Sequence, residues 1–357
     1  MTQREKTYSA ILEHSKRYPK LQPQDLFKFL YQSAYGCEHL VAAEKDVVDY
    51  IKQEYKRIAP IERSDVELLD GEYVRVPLSL LEDGLKPETL GALFCRSAKQ
   101  ESCGREQLLE KLDVAATPAA EGKLPFSAVA FRNALEKWRA EGYPAVHHSE
   151  CFREAYRPAY RVIAKEYALF LQLLSCIDKR MAQQGKLILA VEGGSASGKT
   201  TLAALLNALY GCTVFHADDF FLRPEQRTPE RFAEVGGNFD RERFLTEILE
   251  PLRSGTSITY QPFDCKTQNL LPPVSVMPTP LTVVEGAYSM HPMLASYYDL
   301  SVFLEIGEDY QRERILKRNP PVLAGRFFEE WIPMERIYFE ERKIASHCDF
   351  VISICQN

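Results

Sequence analysis

Between residues 193 and 200 the chain reads Gly193-Gly194-Ser195-Ala196-Ser197-Gly198-Lys199-Thr200, the spacing G-x-x-x-x-G-K-[ST]. Each residue type there has a chemical use. Glycines let backbone N–H groups close on a polyphosphate, and the helix that Thr201 continues would add the positive field of its N-terminus. Lys199 is placed to reach β- and γ-phosphates, and the Thr200 hydroxyl to hold a divalent cation. ATP and Mg²⁺ are therefore the expected cofactors. The elements on either side support this. Leu187-Ile188-Leu189-Ala190-Val191 is a short apolar run that suits a strand buried on both faces. Thr201-Leu202-Ala203-Ala204-Leu205-Leu206 is rich in good helix formers.

Strand and helix patterns alternate after that helix, which implies a parallel sheet. Candidate strands are 187–191, 213–217, 281–285, 300–306 and 349–354, with helices over 199–210, 240–253, 309–318 and 329–346. Ligands in such sheets bind beyond the carboxyl ends of the strands, where this chain sets Asp218, Asp219 and Glu285. Asp218 could orient an attacking hydroxyl and take its proton, or only hold a metal-bound water; both roles stand open. The fold expected is α/β, a P-loop NTPase three-layer sandwich with about five parallel strands. A mainly α-helical N-terminal domain precedes it. We place the boundary at 159/160, with 160–183 as one long entry helix carrying Ile163, Tyr167, Phe170, Leu171, Leu174 and Ile177, and the core over 187–354.

The first 159 residues offer less chemistry. Amphipathic helices are expected near Tyr8, near Leu26 to Tyr31 and near Val47 to Tyr55, then over 87–99, 105–114 and 127–140. A strand that Pro77 limits to a sheet edge or to a strand end is expected within 71–80, and a loop over 115–123. Cys37, His39, His147, His148 and Cys151 are zinc ligands by type, but their spacing fits no familiar finger. Arg153, Arg157 and Arg161, at helical spacing, suit an anion or a solvated helix face.

Composition sets the outer bounds. With 357 residues, 45% hydrophobic and 26% charged, the chain is long enough for two ordinary globular domains. A net charge of −6 gives no broad basic face for nucleic acid. No apolar run is long enough to span a membrane, since Tyr167 to Ile177 is short and broken by Gln172. Nine cysteines without a C-x-x-C pair, and an N-terminus without a signal-peptide core, point to a reduced, cytoplasmic setting. Homo-oligomerisation is left open.

Taken together, residues 187–354 resemble the uridine kinase and phosphoribulokinase branch of the P-loop kinases. The loop at 193–200 is the most specific match, and the others fall in the family's order. Asp218-Asp219-Phe220-Phe221 resembles the family's Asp-Ser-Phe-Tyr, whose first Asp is the base. Asn238-Phe239-Asp240 resembles a segment whose carboxylate holds a ribose hydroxyl, and Phe263-Asp264 stands where the family has Tyr-Asp beside the base pocket. Glu285 matches a Glu near Mg²⁺, so the resemblance implies a metal set of Thr200, Glu285 and Asp218. Arg314, Arg318 and Arg326 fall where lid arginines fall, around a proline-rich lid at 319–325. The resemblance implies catalytic roles for Lys199, Asp218, Arg314 and Arg318, and a nucleotide contact for Arg326. It also implies an acceptor site of Phe221, Phe239, Asp240, Phe263 and Asp264. One departure is clear: Cys265-Lys266-Thr267-Gln268 stands where uridine kinases have a pyrimidine-contacting histidine.

Physical alternatives accompany these roles. Asp240 also suits a helix N-cap before Arg241-Glu242-Arg243-Phe244, and Arg314 with Arg318 a solvated face. The expected activity is ATP-dependent phosphoryl transfer to a small-molecule hydroxyl, with a ribonucleoside as first choice. Pantothenate, a sugar phosphate or glycerate are rival acceptors. A nucleotide-dependent switch acting through the N-terminal domain is a rival of another class, and an enzyme on the kinase product, using His147 and His148, a third.

Overall fold

The computed structural model describes residues 2–37, 44–58, 63–99 and 104–355. The chain divides into two compact units, Met1–Asp178 and Lys179–Asn357.

The first unit wraps helices around a small antiparallel sheet of β1 (Glu67–Leu69), β2 (Tyr73–Pro77) and β3 (Tyr160–Ala164), in that order. Its helices start where local chemistry starts them. Thr2 and Glu5 form a reciprocal cap on the helix Gln3–Arg17, and Asp25 bonds the Gln22 N–H ahead of Pro23–Tyr35. β2 is aromatic and β-branched, Tyr-Val-Arg-Val, and stops at Pro77 as the sequence implies.

Two expectations fail in this unit. Residues 160–183 are not one helix. Tyr160–Ala164 is β3, paired with β2 so that Tyr160 faces Pro77 and Ala164 faces Tyr73, and the helix proper is Leu171–Gln184. The segment Tyr-Arg-Val-Ile-Ala satisfies both periods over so short a run, and a partner strand more than 80 residues upstream decides between them. A cut at residue 160 would remove one strand from this sheet. Residues 115–120 continue the helix Gly104–Ala120 instead of looping. Pro118 costs that helix one backbone bond, but Ala115, Pro118 and Ala119 are buried, and packing outweighs the loss.

The second unit is the expected P-loop kinase fold, a five-stranded parallel sheet with helices. Its strands are β4 (Leu187–Gly193), β5 (Thr213–His216), β6 (Leu281–Glu285), β7 (Leu300–Ile306) and β8 (Phe350–Ile354), laid out β8-β7-β4-β6-β5. Every residue of β4 and β6 is buried, as apolar runs in the middle of a parallel sheet should be. Phe215, Phe220, Phe244, Ile248, Val284 and Tyr338 lie in the main core cluster. The helix expected over 240–253 forms with a widened turn at Leu245–Leu249, just before Pro251, which has no N–H to give. Because the strands are parallel, the ends of β4, β5 and β6 present Gly193, His216 and Glu285 together. No helix among the described residues is long and apolar enough to cross a membrane.

Candidate active site

The site begins where β4 turns into the helix Lys199–Tyr210. Gly193 (φ 149°) and Gly198 (φ 103°) both occupy backbone that L side chains rarely adopt. A Cβ on Gly193 would fall 2.6 Å from the Leu304 carbonyl oxygen and 2.9 Å from Ser197 Oγ. Ser197 is itself fully buried, and its hydroxyl has no partner among the described residues. Lys199 Nζ arches over the loop and donates to the carbonyls of Gly193 (2.9 Å) and Gly194 (3.0 Å). A strand end, a loop with no room for Cβ, an orphaned hydroxyl and a lysine at the mouth fit a polyphosphate.

The acids come to the same place. Thr200 Oγ1 donates to Glu285 Oε1 (3.1 Å), and that oxygen also lies 2.6 Å from Nδ1 of His216. The hydrogen bond to Glu285 raises the pKa of half-buried His216. Burial would raise Glu285, but His216 and Lys199 outweigh it and hold the carboxyl below its usual range. Asp218 follows β5 as an exposed residue at the strand end, and desolvation of its carboxyl by the surrounding protein pushes its pKa up. Lys199 opposes that rise, the Glu285 charge adds to it, and Arg318 is near enough to lower it. Thr200, Glu285 and Asp218 are hard oxygen donors, the set that Mg²⁺ takes alongside water and phosphate.

The arginines divide. A guanidinium nitrogen of Arg314 lies 3.7 Å from where a Cβ on Gly198 would sit, so Arg314 reaches the loop. Arg326 does not. It pairs with exposed Glu330 one turn along its own helix (3.0 Å) and stacks on half-buried Trp331.

The acceptor residues named from sequence also divide. Phe239 is wholly buried against Phe244 and Tyr288, so it is a core residue and lines no open cavity. Asp240 caps the helix that follows, accepting from Arg243 N, and also accepts from Gln226 Nε2 (2.9 Å). Asp264 is turned into its own hairpin, where Lys266 N and Thr267 Oγ1 donate to it. Phe263 is buried beneath Arg227, and Phe221 is half-buried, bridged to Phe239. All five residues lie in one region, but three of them have structural work there.

Sequence reasoning missed several residues. Glu335, 140 positions from the loop, accepts from both the backbone N–H (2.8 Å) and the hydroxyl (2.6 Å) of Ser195, while Gln311 donates to the Ser195 carbonyl. Glu192, wholly buried, accepts from Gly193 N, Met290 N and Tyr338 Oη, and burial raises its pKa to about 7. His216 carried the clearest signal, since it ends a strand that leads into an acid pair. Nothing in the spacing marks Glu335. The suggested zinc ligands of the first unit are not gathered: among the described residues no three of His, Cys, Asp or Glu form a metal group. Cys37 is buried against the Phe94 carbonyl, Cys151 is exposed, and His39 lies outside the described residues.

No protein-family model matches the chain. Uridine kinase from Chloroflexus aurantiacus is 31% identical over 156 residues, which is 41% of this chain and 73% of that one. Uridine kinase-like protein 3 of Arabidopsis thaliana is 27% identical over 37% of this chain. Phosphoribulokinase of Synechocystis is 29% identical, also over 37% of this chain. The match spans only 30% and 41% of the lengths of those two relatives. Among solved structures, a possible uridine kinase from Bacillus stearothermophilus aligns with 22% identity and a TM-score of 0.37, covering 47% of this chain and 88% of that one. With a relative matched at this identity over most of its length, the chain belongs, through its C-terminal half, to the uridine kinase family.

Proposed function

We propose that the second unit transfers a phosphoryl group from ATP to a hydroxyl of a small molecule. One observation carries this reading: Lys199, Thr200, Glu285 and Asp218 converge at the strand ends beside a loop shaped for phosphate. Thr200 and Glu285 would hold Mg²⁺, which when bound neutralises phosphate charge. The chain's own residues do the rest. Backbone N–H groups of the loop and Lys199 bind the phosphates, and Arg314 sits where charge develops on the group in transit. Asp218, with its proton affinity raised, takes the proton of the attacking hydroxyl. Glu335 and Gln311 keep Ser195, and so the loop, in shape.

Relatives named as uridine kinases make a ribonucleoside the first acceptor to test. A non-nucleoside acceptor is the second reading, because Asp240 and Asp264 spend their carboxylates on a helix cap and a hairpin. The purified protein with MgATP should be screened against uridine, a pentose phosphate, pantothenate and glycerate. Phosphorylation of uridine supports the first reading, and of one of the others the second. With the acceptor in hand, Lys199→Ala should slow turnover by roughly 10²–10³-fold, the usual effect of deleting one preorganised donor. Turnover of that variant near the wild-type rate would overturn the assignment.

A further inference from the structure

The first unit holds a cleft of about 1790 Å³ that the kinase chemistry does not use. Its walls come from the helices Pro23–Tyr35, Glu44–Ile58 and Glu150–Tyr156 and from β2 and β3, with Tyr18, Phe94 and Phe152 as apolar surface. Arg75 lines it, although only 2% exposed. Its Nε donates to Gln32 Oε1 (2.9 Å) and its Nη1 to Glu67 Oε2 (3.0 Å). Its Nη2 has no hydrogen-bond partner among the described residues. A buried guanidinium N–H without an acceptor is costly, and a native structure rarely keeps one without a reason.

What surrounds Arg75 supplies the reason. Its guanidinium stacks 4.7 Å from the ring of Tyr160, whose hydroxyl lies 2.7 Å from His148 Nε2. His148 Nδ1 in turn lies 3.3 Å from Asp25, a carboxylate that also accepts from Ser149 and Gln22. Burial lowers His148 to about 4, so it is neutral at pH 7 with its proton on the Asp25 side. Nε2 then accepts from the Tyr160 hydroxyl, and the chain Asp25–His148–Tyr160 locks the ring on which Arg75 rests. Lys28 lines the same cleft and donates to the Val146 carbonyl (2.9 Å). Burial and the charge of Arg75 lower its pKa to about 8. Arg153 and Arg157 stand exposed among the lining residues. Of the acids that line the cleft, Glu67 is engaged by Arg75 and His14 and Glu54 by Arg161, while Asp46, Asp65 and Glu154 stand at its edge away from Arg75 and Lys28; Asp25, behind the wall, is held by the groups just named.

We propose that this cleft is a second ligand site, which takes the phosphate or carboxylate group of a small organic anion on Arg75 and Lys28. Phosphate and carboxylate share the needed chemistry, a charged oxygen that satisfies Nη2 and offsets the mutual repulsion of Arg75 and Lys28. The volume exceeds what a bare anion fills, and the aromatic walls suit an organic body attached to it.

The full-length Lys199→Ala chain, with its own phosphate loop disabled, should be titrated separately with inorganic phosphate and with acetate at fixed ionic strength. Hydrogen exchange read by mass spectrometry locates the site. Saturable protection of peptides covering 23–35, 73–77 and 146–160 by either anion is the expected result, and the more effective anion identifies the class. Lys28→Met should weaken that binding by roughly tenfold, the effect of losing one charge-assisted contact. Arg75→Met should weaken it further, with circular dichroism checking that the variant folds; Lys28→Met decides the matter if it does not. No saturable protection by either anion, protection only within 187–201, or equal affinity in a folded Lys28→Met chain would overturn the proposal. None of these outcomes depends on whether the second unit is a kinase.

Discussion

Two histidines show how differently the units handle charge. His216 is half-exposed, 2.6 Å from Glu285, and its pKa rises. His148 is buried, 3.3 Å from Asp25, faces Arg75 and Lys28, and its pKa falls to about 4. Both have a carboxylate partner. The difference is burial and the sign of the charges around them, so a carboxylate neighbour alone does not fix a histidine's state. In the P-loop unit the polar groups are turned on one another: Lys199 bonds the loop carbonyls and Ser195 bonds Glu335. In the first unit the polar network converges on a buried guanidinium whose Nη2 has no partner among the described residues.

The contrast can be broken at several points. The largest effect belongs to Asp218→Asn, which keeps the shape but cannot take a proton. MgATP affinity should persist while kcat falls by roughly 10²–10⁴-fold. A collapse in nucleotide affinity with kcat intact would make Asp218 a metal ligand alone. In the first unit, Glu67→Ala leaves Arg75 and His14 without their shared acid. The loss should be about 3–5 kcal/mol, as for other broken buried pairs, and appear in denaturant unfolding of that unit while ATP binding survives. Simultaneous loss of ATP binding would show that the two units unfold as one.

His148 sharpens the electrostatic half of the comparison. Its folded pKa lies below the ordinary 6.5, so between about 4 and 6.5 the unfolded chain binds more protons. Its contribution to stability is complete above pH 6.5 and lost as pH falls toward 4. A proton NMR titration of its ring should show a midpoint near 4, and a midpoint at 6.5 or above would refute the buried, cation-facing state. The smallest effect falls on Arg326. Arg326→Ala should leave the denaturation midpoint essentially unchanged, as for an exposed i,i+4 pair, and should barely alter turnover. Arg314→Ala should slow phosphoryl transfer by roughly 10²-fold. Equal losses in the two variants would mean that the lid brings Arg326 onto the nucleotide during turnover.

Some of this molecule is written locally in its sequence. The strand before Gly193, the glycines, Lys199 and Thr200, and the acids at 218 and 285 act through short-range chemistry: two backbone conformations, a helix start and the periods of buried strands. Their positions in the fold follow once the strands are parallel. The N-cap role of Asp240 was also legible, as one of two readings. Other features depended on partners far along the chain. Tyr160–Ala164 satisfies two periodicities, and only β2 makes it a strand. Phe239 reads as an aromatic face for a ligand until Phe244 and Tyr288 close over it. Glu335 reaches Ser195 across 140 residues, and Arg75 gains its meaning from Gln32, Glu67, Tyr160 and His148, which no spacing connects. Residue type and spacing determined the phosphate chemistry, because a phosphate loop is one contiguous turn. The second cleft was decided only by tertiary structure, because burial and the company of other charges are properties of the folded chain.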